Sequence, residues 1–319
     1  MLISHTLVIP VYRNEAFLPE VLQVVAEMAG KVAGSLEVIF VVDGSPDRSE
    51  QWLLDHLPGV GVAAQLIVLS RNFGSFTAVR TGLAAARGQY IAVMAADLQE
   101  PPSLVTDFYR ELAQGHDVAI GTRASRDDSL QQQVPSRLFW VLYRTLVNPQ
   151  MPPGGVDMFA VTARARDALL ALDEAHSSLV AQLYWIGFPR VEVPYDRLAR
   201  KHGESGWTLR KKIAYLLDSI FSFTDIPITL LTLMGFAGTM VFLLVGIALM
   251  AARLLGMIPV PGYTAIMVTI LFSTSLVLFG LGIVGNYVWR AYENTKHRPL
   301  GVVRTRAMFG GTGAEVSND

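Results

Sequence analysis

The sequence contains no cysteine, which excludes disulfides, thiolate catalysis and cysteine-ligated zinc. It has almost no net charge, −1 over 319 residues, so the basic field that nucleic-acid binding requires is missing. Six histidines are present, none at a metal-ligand spacing such as H-x-x-x-H. The opening residues, Met1 to Pro10, lack the basic stretch and long apolar run of a signal peptide. The first domain is therefore expected to stay on the side where it is made. Charge is also scarce locally. Between Asp225 and Arg290 the only charged residue is Arg253.

What is abundant is apolar surface. Hydrophobic residues make up 51% of the chain and charged ones 17%, with a mean hydropathy of +0.38. That is too apolar for an ordinary soluble domain and too charged for a protein made only of membrane spans, so the excess must be local. Ile228–Ala252 and Thr264–Trp289 are uncharged stretches of 25 and 26 residues, and about 20 residues of helix cross a bilayer core. Two buried helices of a large soluble core are the alternative, but such helices usually keep a polar face. A short turn with Pro259 and Pro261 separates the stretches, which predicts a helical hairpin. Lys and Arg cluster before it (Arg200, Lys201, Arg210, Lys211, Lys212) and after it (Arg290, Lys296, Arg298, Arg304, Arg306). By the positive-inside rule both ends are expected in the cytoplasm, in a multi-pass inner-membrane protein. Residues 208–225 carry a basic start and an apolar remainder, as an interfacial helix would; a core helix of the first domain fits the same pattern.

Residues 1–207 have another rhythm. Short β-branched runs at Thr6–Ile9, Leu36–Val42, Gln65–Leu69, Tyr90–Met94 and Asp117–Ile120 alternate with helix-like Leu18–Ala29, Ser49–His56, Phe76–Ala86 and Leu104–Ala113. This pattern predicts an α/β domain with a mostly parallel sheet, and such sheets bind ligands beyond the carboxyl ends of their strands. Polar residues follow successive strands in order: Tyr12-Arg-Asn-Glu15, Asp43-Gly-Ser45-Pro-Asp47, Ser70-Arg71-Asn-Phe-Gly74 and Asp97-Leu-Gln99-Glu100-Pro-Pro. Asp97 and Gln99, two apart, can turn their oxygens to one side in extended backbone. A carboxylate and an amide oxygen suit a hard cation such as Mg²⁺ that keeps substrate phosphates in its shell. Asp before Pro-Pro is also good turn chemistry.

These ordered motifs resemble those of the family 2 glycosyltransferases that act on polyprenyl phosphates, the bactoprenol glucosyltransferases and dolichol-phosphate mannose synthases. The likeness covers roughly residues 5–290 and includes the two C-terminal spans. It implies a GT-A-type nucleotide-sugar-binding domain over 1–207. A juxtamembrane helix at 208–225, a transmembrane hairpin at 226–290 and a cytoplasmic tail at 291–319 would follow. Pro10, Tyr12, Glu15, Asp43, Arg71, Ala96, Asp97 and Arg123 would contact the nucleotide-sugar. Asp97 and Gln99 would hold Mg²⁺ or Mn²⁺, and Asp97 and Asp157 would be the catalytic carboxylates. Arg197, Arg200 and Ser205 would clamp the acceptor phosphate; a basic patch binding lipid headgroups is the other reading of that loop. The implied reaction moves a sugar, UDP-glucose favoured as donor, to undecaprenyl or another polyprenyl phosphate with inversion, supplying a lipid-linked sugar for cell-envelope glycans. The implied partners are that donor, that lipid and the membrane, with no nucleic acid and with homo-oligomerisation left open. The pattern departs from the family at Arg13-Asn14-Glu15, where Asn-Glu-Glu is usual, and at Val42 and Ala95, each standing where an Asp is usual. Ala95 in place of a carboxylate lowers ligand charge for a cation and is what a catalytically decayed adaptor homologue would show.

Overall fold

The computed structural model describes residues 3–124, 139–174, 177–198, 209–255, 262–310 and 315–317. The chain separates into two compact units, one of Met1–Ile213 with Arg298–Asp319, the other of Ala214–His297.

The first unit is built on a sheet of β1 (His5–Val11), β2 (Leu36–Val42), β3 (Ala63–Leu69), β4 (Tyr90–Val93), β5 (Val118–Arg123), β6 (Phe159–Thr162), β7 (Arg190–Tyr195), β8 (Val303–Phe309) and β9 (Glu315–Ser317). Their spatial order is β7-β5-β6-β4-β1-β2-β3-β8-β9. Strands β4, β1, β2 and β3 run parallel, β6 is antiparallel between β4 and β5, and β8 is antiparallel to β3. The helices are α1 (Leu18–Ala29), α2 (Ser49–His56), α3 (Ser75–Ala85), α4 (Ser103–Ala113), α5 (139–146), α6 (Ala163–Leu170) and α7 (Leu179–Trp185). All seven residues of β2 are buried, which is why this strand reads as a nearly unbroken apolar run. Its one carboxylate, Glu37, is fully buried and accepts from Thr6 Oγ1 (3.1 Å), Gln65 Nε2 (2.5 Å) and the Arg87 guanidinium (2.6 Å). Such pairing is what lets a charge stand inside a sheet.

Two arginines lock α3 to α6. Arg80 on α3 donates to the carbonyls of Leu169 (3.1 Å) and Leu170 (2.9 Å) at the end of α6. Arg166 on α6 donates to the Ala86 carbonyl just past α3 (2.6 Å). Each guanidinium thus reaches carbonyls at the C-terminal end of the other helix.

The predicted strands and helices of residues 1–120 recur with shifts of a few residues. The C-terminal segment differs from a tail: Val303–Phe309 is β8, paired along β3 from Ala64↔Phe309 to Leu69↔Val303. Arg306 Nη2 donates to Gln65 Oε1 (2.7 Å) and so joins the Glu37 network. The segment Val303-Arg-Thr-Arg-Ala-Met-Phe309 alternates as an edge strand does, but two arginines in it read first as juxtamembrane charge.

The second unit comprises most of α8 (Leu209–Phe223), with α9 (Ile226–Leu254) and α10 (Tyr263–Thr295). Among the described residues, Ile226–Ala248 and Phe272–Thr295 are long and apolar enough to cross a membrane. Within this unit Arg290 on α10 donates to Asp218 Oδ1 (2.7 Å) and Ser222 Oγ (3.3 Å) of α8 and lies 5.2 Å from the Phe221 ring. Residues 256–261, where a hairpin turn is expected, and the side chains of 210–212 lie outside the described residues.

Candidate active site

Four parallel strands end on the same edge, and the loops leaving that edge interlock. After β1 and β2, the Arg13 N–H donates to Ser45 Oγ (2.8 Å), Ser45 Oγ to Asp47 Oδ1 (2.6 Å) and the Glu15 N–H to Asp47 Oδ2 (3.2 Å). Glu15 Oε2 in turn accepts from the Arg48 N–H (2.9 Å). Burial would raise the Asp47 carboxyl, but hydrogen bonds from Ser45, Ser49 and the Glu15 N–H outweigh it and hold it below the usual carboxylate range. A cleft of about 440 Å³ opens here between Arg13, Glu15, Ala16, Asp47 and Trp52. Tyr12 is 40% exposed beside it, with the Arg13 guanidinium 5.5 Å from its ring; Pro10 lies within β1.

Asp43, an expected nucleotide-sugar contact, also has a role within the fold. It is buried, and its two oxygens accept from the N–H groups of Phe73 (2.7 Å) and Gly74 (2.8 Å). It thereby clasps the loop after β3 against the loop after β2. Gly44 makes the clasp possible. Its φ is +56°, and a Cβ there would fall 2.3 Å from the carbonyl carbon of Arg71, so only glycine fits. Arg71 itself is exposed and lies 3.9 Å from the Phe73 ring.

A second cluster forms beyond β4, β5 and β7. Asp157, in the loop before β6, accepts from Arg123 Nε (2.7 Å), Arg123 Nη2 (2.6 Å) and the Tyr195 hydroxyl (2.8 Å) on one oxygen, Oδ2. Burial would lower the Arg123 guanidinium, but Asp157 overrides it and raises it. The loop is set by Gly155, whose φ of +76° and absent Cβ admit the Trp140 ring; a Cβ would lie 2.1 Å from that ring. Ala96 is buried and Asp97 half-buried after β4. Leu98 takes φ +49°, turning the chain so that Gln99 and Glu100 both point inward and are buried. Gln99 Oε1 accepts from Arg197 Nη2. Glu100 Oε1 lies 3.8 Å from Arg197 Nε, and its Oε2 has no hydrogen-bond partner. Burial first, then Asp157 and Asp97, push the Glu100 carboxyl up to about 7, against the pull of Arg197 and Arg123.

The model of glycosyl transferase family 2 matches residues 6–170, just over half of the chain. The chain belongs to glycosyl transferase family 2. Similar family members include an uncharacterized glycosyltransferase of Synechocystis, 30% identical over 95% of each chain. Another is the undecaprenyl-phosphate 4-deoxy-4-formamido-L-arabinose transferase of Pseudomonas aeruginosa, 31% identical over 92% of this chain and 87% of that one. Among solved structures, glucosyl-3-phosphoglycerate synthase of Mycobacterium tuberculosis with phosphoglyceric acid aligns at TM-score 0.48 and 18% identity, over 68% of this chain and 80% of that one.

In this family 2 chain the expected site residues fall into two groups: Tyr12, Glu15, Asp43 and Arg71 around the β1–β3 loops, and Asp97, Gln99, Arg123, Asp157 and Arg197 beyond β4–β7. Arg200 and Ser205 lie outside the described residues. Among the described residues, no three His, Cys, Asp or Glu side chains are arranged to hold a metal by themselves. Asp97 and Gln99 nonetheless offer the oxygen donors that Mg²⁺ and Mn²⁺ take, beside a buried Glu100 oxygen with no partner. That set fits a cation completing its shell from substrate phosphates and water. Sequence reasoning missed Glu100 and Tyr195. Glu100 precedes Pro101-Pro102, which is turn chemistry in sequence and gives no sign of a buried carboxyl. Nothing in Val193-Pro-Tyr195 signalled a hydroxyl aimed at Asp157.

Proposed function

We propose that this family 2 enzyme transfers a sugar from a nucleotide-sugar to undecaprenyl or another polyprenyl phosphate, with inversion, at the cytoplasmic face of a membrane. The observation that carries the reading is the convergence of Arg123, Arg197, Asp97, Gln99 and Asp157 at one edge of the sheet, in a chain that also holds two helices of membrane-spanning length. The relative named for undecaprenyl phosphate supports the acceptor class. Topology is supported by β8. The chain leaves the sheet unit before the hairpin and rejoins it by pairing β8 with β3, so both ends of the hairpin belong on one side of the bilayer. The basic clusters flanking the hairpin support the cytoplasm as that side.

A phosphate monoester has its second pKa near 6 (about −2 charge at neutral pH) and needs no strong base. The work left to the protein is positioning and charge neutralisation. Tyr12 and the Glu15–Asp47 cleft receive the nucleoside. Arg123, held by Asp157 and Tyr195, presents its guanidinium to the leaving diphosphate; a planar fork suits that charge. Asp97 and Gln99 would hold Mg²⁺ or Mn²⁺, which when bound neutralises charge on the diphosphate. Arg197, with Arg200 and Ser205, meets the acceptor phosphate.

UDP-glucose is the favoured donor, and UDP-linked 4-deoxy-4-formamido-L-arabinose belongs in the panel because of the relative named for that sugar. The test incubates full-length protein in detergent with Mn²⁺ or Mg²⁺, a short polyprenyl phosphate and each nucleotide-sugar. Formation of a lipid-linked sugar that Asp97→Ala abolishes is expected. No product with any donor would refute the enzyme reading and leave the adaptor reading that Ala95 favours.

A further inference from the structure

The side chain that sits on the amide oxygen of Gln99 is itself a cation. Arg197 Nη2 donates to Gln99 Oε1, and Arg197 Nε stands 3.8 Å from Glu100 Oε1. The guanidinium thus straddles two oxygens of the segment that ends β4. Its hold is incomplete, because Arg197 Nε and Glu100 Oε2 are both buried without a hydrogen-bond partner. The backbone fixes the base of this arm: the Leu198 N–H donates to the Gln99 carbonyl at 2.8 Å. The head of the side chain can therefore move while its root stays beside Gln99.

We propose that Arg197 is a placeholder cation, which blocks Gln99 until a divalent cation arrives and then turns to the acceptor phosphate. This rests on the metal and acceptor reading given above. An amide oxygen has two lone pairs, but a guanidinium and a divalent cation on one oxygen would bring like charges within a few ångströms in a partly desolvated site. Binding of one expels the other. The displaced fork has four rotatable bonds and a root fixed at Gln99, so it lands within reach of a phosphate next to the cation. Metal loading and acceptor clamping are thereby made sequential by one side chain, and each strengthens the other by linkage.

The test titrates full-length protein in detergent with Mn²⁺ alone and counts free Mn²⁺ by electron paramagnetic resonance. Arg197→Gln, which keeps polar donors but loses the charge, is expected to bind Mn²⁺ roughly tenfold tighter than the wild type, about 1.4 kcal/mol. Arg197→Met carries the same expectation if the glutamine variant does not keep the wild-type melting profile. Arg197→Lys, which retains a positive charge, should stay near the wild type. A short polyprenyl phosphate, without donor, should bind the wild type more tightly when Mn²⁺ is present, and Arg197→Gln should lose that gain. Equal or weaker Mn²⁺ binding by the glutamine and methionine variants overturns the inference, because a residue that merely orients Gln99 would lower affinity when removed. A wild type that binds no Mn²⁺ even with a UDP-sugar overturns both the inference and the metal reading; a wild type that binds Mn²⁺ as tightly as its variants overturns the inference alone.

Discussion

Replacing Glu100 by glutamine is expected to stabilise the protein, and to do so only where the carboxylate is ionised. Burial, reinforced by Asp157 and Asp97, moves this carboxyl from 4.5 to about 7. Below pH 4.5 the folded and unfolded chains both hold the proton, and the site carries no ionisation penalty. As pH rises from 4.5 toward 7 the unfolded chain releases its proton first, so the folded state loses stability over that window. Above the folded value the loss is complete, about 3 kcal/mol. Glutamine cannot ionise, and its amide oxygen can stand where Glu100 Oε1 faces Arg197. The gain over wild type should approach ~3 kcal/mol at pH 8.5 and fall below ~1 kcal/mol at pH 5. In a domain of about 200 residues that corresponds to a rise of roughly 6–12 °C in Tm at the higher pH. Thermal melts of the two full-length proteins in the same detergent, followed by near-ultraviolet circular dichroism at both pH values, read the difference. A gain of equal size at pH 5 and 8.5, or a loss at 8.5, would refute the account of Glu100 as a strained buried acid.

Tyr195→Phe removes the hydroxyl that donates to Asp157 Oδ2 at 2.8 Å; kcat should fall by roughly tenfold or more with the nucleotide-sugar KM little changed, and an unaltered kcat contradicts the positioning role. Gly44→Ala forces a Cβ to 2.3 Å from the Arg71 carbonyl carbon at φ +56°, so denaturant unfolding should show a loss of about 2 kcal/mol or more; a neutral result means the Asp43 clasp is not fixed as described. Truncation after Arg298 deletes β8 and bares the β3 edge, and the truncated protein should aggregate on size exclusion. A monodisperse truncated protein with the wild-type melt would show that the sheet does not depend on its returning strand.

The first five strands and the helices between them are legible because each run is short, apolar and closed by polar turn residues. Leu36–Val42 was found with its exact bounds, since a strand buried on both faces leaves no polar break. The apolar helices were legible from charge alone, although α9 and α10 extend past the uncharged stretches; a helix, once propagating, does not stop where hydrophobicity does. β6, β7 and β8 were not legible. Arg190-Val-Glu-Val-Pro-Tyr195 is half exposed, and Val303–Phe309 pairs with a strand more than two hundred residues earlier, a contact no local pattern encodes. For the site, motif order located the strand-end loops but not their internal bonds. That the Asp43 oxygens also accept from the N–H groups of Phe73 and Gly74 is visible only in the fold.

The strand that pairs with the free side of β3 is made long after β3 itself. β3 ends at Leu69 and β8 begins at Val303. At 5–20 residues per second the ribosome leaves that edge without its neighbour for about 10–50 s, while both apolar helices are synthesised. During this interval Leu66, Ile67 and Val68 border an open hydrogen-bonding edge. Completion of the sheet thus waits on synthesis of both apolar helices. A chain that stops short of β8 carries an unfinished sheet and offers proteases a ready point of attack.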